Sequence, residues 1–301
     1  MKKFLKSLTF FLLPIFLTAI VAEIFLRKIP NDYRVKKQYL ERHSKEIKVL
    51  FLGSSHAYYG INSTYIKEPS FNAAYVSQSL KIDYEILNQY KSSLKSLKAI
   101  ILPISYFSLN SSMENNGEGW RNKYYNIYYH INLGYRPQDN LEILNKFSLS
   151  WYKIVNYYIK HINPVSSSSL GWGTHSSQNS TKSLEESGIE ASSRHTHFDH
   201  IIYQENRIIL DSMISIAERK NVRIIFYTPP AYYTYIKHLN VEQLRELRNT
   251  MWHLTEKYNN TTYIDFLADT SFAETDFFDA DHLNDKGAKK LTTKLGDFIN
   301  K

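Results

Sequence analysis

The stretch Val49–Gly60, VLFLGSSHAYYG, decides how the rest of the chain is interpreted. Four apolar residues predict a buried strand that stops at Gly53, and two serines and a histidine follow directly. Small hydroxyl side chains at the end of such a strand lie at the sheet edge where parallel sheets bind ligands. The stretch therefore predicts a parallel α/β sheet with a functional site at the carboxyl end of its first strand.

Strand-like and helix-like segments alternate along most of the chain, which predicts an α/β fold. The predicted strands are almost entirely apolar, so we expect a parallel sheet that helices cover on both faces. The strands are Ile47–Leu52, Ser70–Ala74, Leu97–Ile104, Val222–Tyr227 and Thr262–Phe266, and the helices are Ser77–Leu94, Tyr203–Arg219, Val241–Tyr258 and Asn284–Ile299. We predict a three-layer sandwich with a five-stranded, flavodoxin-like sheet, and Asn284 as the N-cap of the last helix.

The first 28 residues predict a membrane anchor or a signal segment. The charge-free run Ser7–Ala22 becomes long enough to span a membrane when residues 23–26 are added. A cleaved signal peptide is the alternative, but isoleucine three positions before the cleavage site is a weak match to the small-residue rule. Residues 29–46 are expected to be a charged spacer, and residues 47–301 a single α/β domain with an insertion at 111–196.

Composition excludes several classes of protein. Hydrophobic residues make up 43% of the 301 residues and charged residues 22%, which is typical of a globular chain. The chain has no cysteine, so disulfides and thiolate metal sites are excluded, and no cofactor is expected. The net charge of +8 is concentrated near the N-terminus. We therefore expect the basic residues to contact lipid headgroups rather than nucleic acid.

The insertion 111–196 is rich in tyrosine, asparagine and serine, and we expect it to lie over the active edge of the sheet. Trp172, between two glycines, is the best candidate to stack on a sugar ring. Near its end, the stretch RHTHFDH places His195, His197 and His200 at spacings that could hold a metal ion. Solvated histidines before a helix are the simpler interpretation, and we predict no metal site.

A second motif, FFDADHLNDKG at Phe277–Gly287, supplies a base for the serine. Asp279 and His282 stand three apart in a loop between the fifth strand and the last helix. This spacing lets the carboxylate reach the imidazole Nδ1 and turns Nε2 outward. A serine at the sheet edge could then attack an acyl carbon, with amide N–H groups binding the oxyanion.

Structural roles are the alternative for each of these residues. Ser55 could cap the following helix, and Asp279 and Asp281 could be charges at the start of the last helix. In that case His282 is an ordinary surface residue. We interpret His56 as a packing residue rather than as part of the wall of an active site.

The sequence GSSH followed far downstream by DADHLNDKGA resembles the SGNH/GDSL hydrolase superfamily. With the apolar N-terminal segment it is most similar to membrane-anchored proteins of bacterial envelope-polymer modification, such as relatives of the alginate O-acetylation and teichoic-acid D-alanine transfer proteins. The resemblance covers residues 47–109 and 203–301. It implies that Ser55 is the nucleophile, His282 the base and Asp279 the residue that orients the base.

The resemblance also carries departures from the family pattern. Ser54 stands where the broader family has aspartate, and Ser77 falls near the glycine whose N–H supports the oxyanion. The third block, Gly-x-Asn-Asp, is missing, and Tyr106 stands near the position of its asparagine.

The function that the resemblance implies is acyl transfer, with acetyl as the expected group, or ester hydrolysis on a cell-envelope polysaccharide. The protein would be anchored in the membrane with its domain outside the cytoplasm, on the periplasmic side of a bacterial inner membrane, and could work with a membrane-bound O-acyltransferase. The alternative is a non-catalytic scaffold that holds a polymer for such a partner. The missing third block favours the scaffold, whereas the intact Ser/His/Asp set favours the enzyme.

Overall fold

A computed structural model describes residues 1–133, 136–173 and 182–299. The chain divides into two compact units, each built from two segments. Unit 1 comprises Met1–Gln38 and Trp120–Ser166, and unit 2 comprises Tyr39–Gly119 and Ser167–Lys301. These boundaries differ from the predicted ranges, because both the predicted spacer 29–46 and the predicted insertion 111–196 are divided between the two units.

The sheet of unit 2 has five parallel strands. They are β1 Val49–Phe51, β2 Ser70–Asn72, β3 Ala99–Pro103, β4 Arg223–Thr228 and β5 Thr261–Asp265. Their order is β2-β1-β3-β4-β5, which confirms the predicted flavodoxin-like sheet. Each predicted strand is present, and most are shorter than the apolar run because pairing ends where the chain turns out of the sheet.

The helices confirm the predicted alternation of strands and helices. In chain order they are α1 Lys2–Lys28, α2 Asp32–His43, α3 Ser55–Gly60, α4 Leu80–Tyr90, α5 Asn122–Tyr124, α6 Phe147–Ile154, α7 Leu184–His195, α8 His200–Arg219, α9 Tyr233–Ile236, α10 Val241–Lys257 and α11 Asp285–Ile299. Two π-helical segments, Tyr125–Tyr129 and Val155–Ile159, follow α5 and α6. Helices cover both sides of the sheet, and the strand residues of β1 and β3 are completely buried.

The predicted spacer is wrong as a description of residues 29–46. This range contains α2, and its residues Tyr33, Lys36 and Leu40 are almost fully buried. Burial of the Lys36 ammonium group lowers its pKa to about 7. A segment with a high charge content therefore contributes to packing rather than acting as a solvated linker.

Helix α1 in unit 1 is long and apolar enough to cross a membrane. Its 27 residues have a mean hydropathy of 2.3 over the most apolar window, none of which is buried. At 1.5 Å per residue the helix is about 40 Å long, which exceeds the hydrocarbon core of about 30 Å. These features fit both a membrane anchor and a signal sequence.

Candidate active site

The chain turns sharply at the end of β1, and this turn positions the candidate nucleophile. Gly53 has φ of +115°, a backbone conformation that side chains rarely allow. A Cβ atom at this position would lie 2.3 Å from Cγ of Pro103 at the end of β3. Glycine is therefore required here, and it delivers Ser54 and Ser55 to the carboxyl edge of the sheet.

Ser55 and His282 meet although 227 positions separate them in the sequence. The Nε2 atom of His282 lies 2.8 Å from Oγ of Ser55. The Nδ1 atom of the same ring lies 3.0 Å and 3.1 Å from the two carboxylate oxygens of Asp279. The three side chains thus form a continuous chain of hydrogen bonds from carboxylate to imidazole to hydroxyl.

The backbone of the second motif holds the Asp279 carboxylate in place. The amide N–H groups of Asp281 and His282 donate to its Oδ1 atom at 3.1 Å and 2.8 Å. Helix α11 begins just after this loop, and the side chain of Asn284 accepts from the amide N–H groups of Lys286 and Gly287. Asn284 therefore caps α11 as predicted, and Asp279 is not one of its first-turn charges.

Ser55 is not the cap of α3. The N-cap position belongs to Ser54, whose side chain makes no capping hydrogen bond and is buried without a partner in the described part of the chain. The hydroxyl of Ser55 instead forms a hydrogen bond with Nε2 of His282. The capping alternative that the sequence left open is therefore wrong for Ser55.

Asp281 joins three histidines in a buried cluster beside the Ser55–His282 contact. Its side chain is only 3% exposed, and Oδ2 has no hydrogen-bond partner among the described residues. Oδ2 lies 3.4 Å from Nε2 of His56 and 3.9 Å from Nδ1 of His195, and Oδ1 lies 3.5 Å from Nδ1 of His282. The sequence analysis interpreted His56 as packing and gave Asp281 no role beyond a possible helix charge, and both belong to this cluster.

The charges of the cluster set the protonation of His282. Burial alone would lower the pKa of His282, but the neighbouring carboxylates Asp281 and Asp279 outweigh burial and raise it well above its ordinary value. Burial likewise opposes ionisation of Asp281, yet the charge of His282 keeps the pKa of this carboxyl well below its usual range. Burial lowers the pKa of His56, and lowers that of His195 to about 3. The positive charge of the cluster therefore resides on His282.

A cavity of about 550 Å³ opens onto the Ser55–His282 pair. Gly53 and Pro103, at the ends of β1 and β3, line it, and so do His282 and Asp279. Parts of the predicted insertion contribute polar residues to its lining, namely Asn115, Asn116, Glu118 and Arg194, and His197 follows directly after the insertion. Residues of the predicted insertion that belong to unit 2 therefore border this cavity.

The three residues proposed for oxyanion or substrate contact fall in different places. Ser77 lines the cavity and has a left-handed backbone with φ of +59°. Tyr106 does not line it, because its hydroxyl accepts from the amide N–H of Asn240 and hydrogen-bonds to Thr196. Trp172 is outside the cavity as well, because its indole N–H donates to the carbonyl of Tyr59 at 2.7 Å. Neither residue lines the cavity, so Tyr106 makes no oxyanion contact there, whereas the sugar-stacking role of Trp172 stays a prediction.

Asp83 is a residue of the site that sequence reasoning missed. It is buried on α4, and its Oδ1 accepts from the amide N–H of Gly53 at 2.7 Å and from Nε2 of Gln78 at 2.6 Å. Its carboxyl therefore links the turn before Ser55 to the loop that carries Ser77. Burial raises the pKa of Asp83 to about 7. An aspartate inside an amphipathic helix gives no sequence signal of such a contact.

A metal site in RHTHFDH finds no support in the described part of the chain. His195 hydrogen-bonds to the Tyr235 hydroxyl, and the three histidines of the stretch do not bring their ring nitrogens together. The group whose ligand atoms do lie close, within 4.8 Å of one another, is His56, Asp281 and His282. We assign this group to the ion-pair cluster because His282 Nε2 is already engaged with Ser55.

Comparisons with known proteins give structural neighbours only. No family model and no curated protein matches the chain. Among solved structures, it is similar to a candidate acylhydrolase from Bacteroides fragilis (TM-score 0.44, 9% identity, 88% of this chain and 95% of that chain). It is also similar to a GDSL-like lipase from Bacteroides thetaiotaomicron (TM-score 0.43, 8% identity, 89% and 98%). Because these scores and identities are low, we base the functional proposal on this chain's own residues.

Proposed function

We propose that the protein is a serine-dependent esterase or O-acyltransferase whose nucleophile is Ser55. The observation that carries this proposal is the unbroken arrangement Asp279–His282–Ser55, with contacts of 3.0 Å and 2.8 Å. Nucleophile and base lie at hydrogen-bond distance, and a third group orients the base. A cavity large enough for an ester opens directly onto the serine hydroxyl.

The chemistry that we assign to these side chains has two halves. In the first, Ser55 Oγ attacks the acyl carbon and its proton passes to Nε2 of His282; the leaving alcohol then takes that proton, and acyl-Ser55 remains. In the second, His282 removes a proton from the acceptor hydroxyl, which attacks the acyl carbon, and His282 returns this proton to Oγ as the bond to Ser55 breaks. Asp279 stabilises the imidazolium in both halves. We assign oxyanion binding to the amide N–H groups of Ser55 and Ser77, since both residues line the cavity.

The substrate that we propose is an acetyl ester, with water or a sugar hydroxyl of an envelope polysaccharide as acceptor. Two observations support a polyhydroxylated partner: the cavity carries the amide side chains Asn115 and Asn116, and it carries both an acidic and a basic residue, Glu118 and Arg194. The apolar helix α1 supports an anchored protein, and a folded part outside the cytoplasm is part of the same proposal. A membrane-bound O-acyltransferase that supplies the acyl group is part of the same proposal.

A fluorophosphonate probe tests the nucleophile, because it forms a stable bond with an activated serine hydroxyl. We expect the full chain to be labelled on Ser55, and the variant Ser55→Ala to be unlabelled. Ser54→Ala is the matched control, since this neighbouring hydroxyl is buried without a partner among the described residues and should leave labelling intact. Well-folded protein that remains unlabelled at mildly alkaline pH would refute the enzyme and leave the non-catalytic polymer scaffold as the better description.

A further inference from the structure

Large apolar side chains cover the outer surface of one segment of unit 1. We call the side chains of Phe147, Leu149, Trp151, Tyr152, Ile159 and Ile162 the aromatic face; each of them is between 51 and 81% exposed. The rings of Phe147 and Trp151 stack on each other one helical turn apart, at 6.5 Å between centroids. Soluble proteins rarely leave so many large apolar groups together in water.

Helix α6 is inverted relative to a helix on the surface of a soluble protein. Such a helix buries its apolar stripe and exposes its polar side. In α6 the hydroxyl-bearing Ser150 is buried, and the ammonium group of Lys153 is held by Glu142 at 3.0 Å and Tyr124 at 3.2 Å. Ser150 and Lys153 therefore face the protein, whereas the aromatic face points away from it together with the exposed Ser148.

The segment that carries the aromatic face is held against the end of helix α1. The hydroxyl of Tyr158 donates to the carbonyl of Phe25 at 2.9 Å, and the two rings pack edge to face at 5.3 Å. The carboxylate of Glu23 accepts the amide N–H groups of Glu142 and Ile143, at 3.1 Å and 2.8 Å. The turn before α6 and the π-helical segment after it are thus both tied to the last two turns of α1.

This attachment fixes the level of the aromatic face along α1. The charge-free run Ser7–Ala22 is about 24 Å long, somewhat less than the hydrocarbon core of a bilayer. Phe25 follows this run by one turn, so it would lie at the boundary between acyl chains and headgroups. Aromatic rings are enriched at this level in membrane proteins. The exposed cations Lys28, Lys146 and Lys160 of the same unit complement anionic headgroups.

We propose that the aromatic face binds the headgroup region of the same membrane leaflet from which α1 emerges. The protein is then held at the membrane by two elements, a spanning helix and an interfacial segment formed by residues 147–162. Such a segment lies in the plane of the interface with its apolar side in the acyl boundary. This proposal requires α1 in the bilayer but does not depend on the chemistry of Ser55.

Site-specific labels test the proposal cleanly because the chain has no cysteine. We would place an environment-sensitive nitrobenzoxadiazole dye on the variants Phe147→Cys and Trp151→Cys of the full chain. The proteins are reconstituted in nanodiscs of phosphatidylcholine and phosphatidylglycerol, with or without nitroxide lipids. We expect blue-shifted emission, and stronger quenching by a nitroxide near the headgroup than by one deep in the acyl chain.

Two further single-cysteine variants serve as references. Leu12→Cys lies in the middle of the apolar run and should be quenched most by the deep nitroxide. Ile208→Cys, an exposed isoleucine on α8, is the reference for a label in water. Emission of both face labels at the value in water would overturn the proposal, and blue-shifted emission without nitroxide quenching would mean that protein covers the face instead of lipid. A Leu12 label that escapes the deep nitroxide would refute the span and this inference together, while labelling of Ser55 by fluorophosphonate stays unaffected.

Discussion

Asp281 lies 3.5 Å from Nδ1 of His282, the same ring nitrogen that Asp279 binds at 3.0 Å. Two carboxylates therefore approach one imidazole, but they differ in their surroundings. Asp279 is partly exposed and held by backbone amides, whereas Asp281 is buried and faces His56 and His195 as well. We expect Asp279 to orient the ring and Asp281 to control how readily it is protonated.

The pH dependence of activity should therefore respond to Asp281. A general base must be neutral, and the raised pKa of His282 means that the reaction rate should keep rising with pH beyond the ordinary range of histidine. Asp281→Asn removes one negative charge, so it lowers the pKa of His282 and moves the rising limb of kcat/KM to lower pH. The measurement is kcat/KM for an activated acetyl ester across the pH range.

Asp285→Asn is the matched control, because this aspartate begins α11 and the carboxylates that raise the pKa of His282 are Asp281 and Asp279. Its profile should coincide with that of the unmodified protein. If the rising limb of kcat/KM for Asp281→Asn lies at the same pH as that of the unmodified protein, the charge of Asp281 does not raise the pKa of His282.

Substitutions in the triad should be strongly non-additive. Ser55→Ala and His282→Ala should each reduce ester turnover by orders of magnitude, and the double variant should be no slower than either single variant. Ser55→Ala removes no helix cap, so the free energy of unfolding should change by less than about 1 kcal/mol. If the fold-loss of the double variant equals the product of the two single fold-losses, the two residues do not act as one unit.

Asp83 should make stability depend on pH. Its pKa of about 7 in the folded state lies above the ordinary value, so the native carboxyl holds its proton over a range where the unfolded one has lost it. The free energy of unfolding should fall as pH rises from about 4 towards 7. Over this range the carboxyl ionises freely in the unfolded chain, whereas burial opposes its ionisation in the folded protein. Asp83→Asn keeps an oxygen that accepts from Gly53 and removes this pH dependence. Urea unfolding of both proteins at several pH values is the measurement.

The difference in stability between Asp83→Asn and the unmodified protein should grow over that pH interval and then level off. Asp297→Asn, an exposed aspartate on α11, is the control and should show no comparable trend. A difference that stays constant with pH would mean that the Asp83 carboxyl has the same pKa in the folded and unfolded states.

Gly53 and Gly60 should respond oppositely to alanine. Gly53→Ala forces a side chain into a positive-φ backbone and against Pro103, and should cost at least about 1–3 kcal/mol of unfolding free energy. Gly60→Ala places its Cβ 3.6 Å from Leu291, an ordinary contact, inside helix α3. It should be neutral or stabilising by up to about 1 kcal/mol. Equal losses from both variants, measured by urea unfolding, would contradict the role assigned to the turn.

The sheet could be predicted because each strand has a local sequence pattern, and the contact between Ser55 and His282 could be predicted because both residues follow strands of that sheet. A glycine after an apolar run marks where the strand ends, and consecutive parallel strands bring their carboxyl ends to one edge of the sheet. The spacing could not decide which carboxylate orients the ring of His282 and which one controls its protonation. Asp279 and Asp281 both stand close to His282 in sequence, and only burial distinguishes them.

The contacts that sequence reasoning missed are all between distant segments. Asp83 looks like any polar residue on a helix until Gly53 is placed beside it. Lys36 looks solvated in a charged stretch, yet it is almost fully buried. Tyr106 was placed by its position relative to a family block, whereas its hydroxyl is held by the start of α10. Patterns within one segment carry no information about such partners.

The path of the chain through the sheet has a consequence for synthesis. Strands β1, β2 and β3 have all been synthesised before the chain leaves unit 2 at Gly119. The pairing partner on the other side of β3 is β4, which begins only at Arg223. During that interval the segment Ala99–Pro103 is an unpaired edge with a wholly apolar sequence. Exposed edges of this kind pair readily with other chains. We therefore expect the nascent protein to need shielding at this strand until β4 has emerged, and slow translation between residues 119 and 223 to promote aggregation.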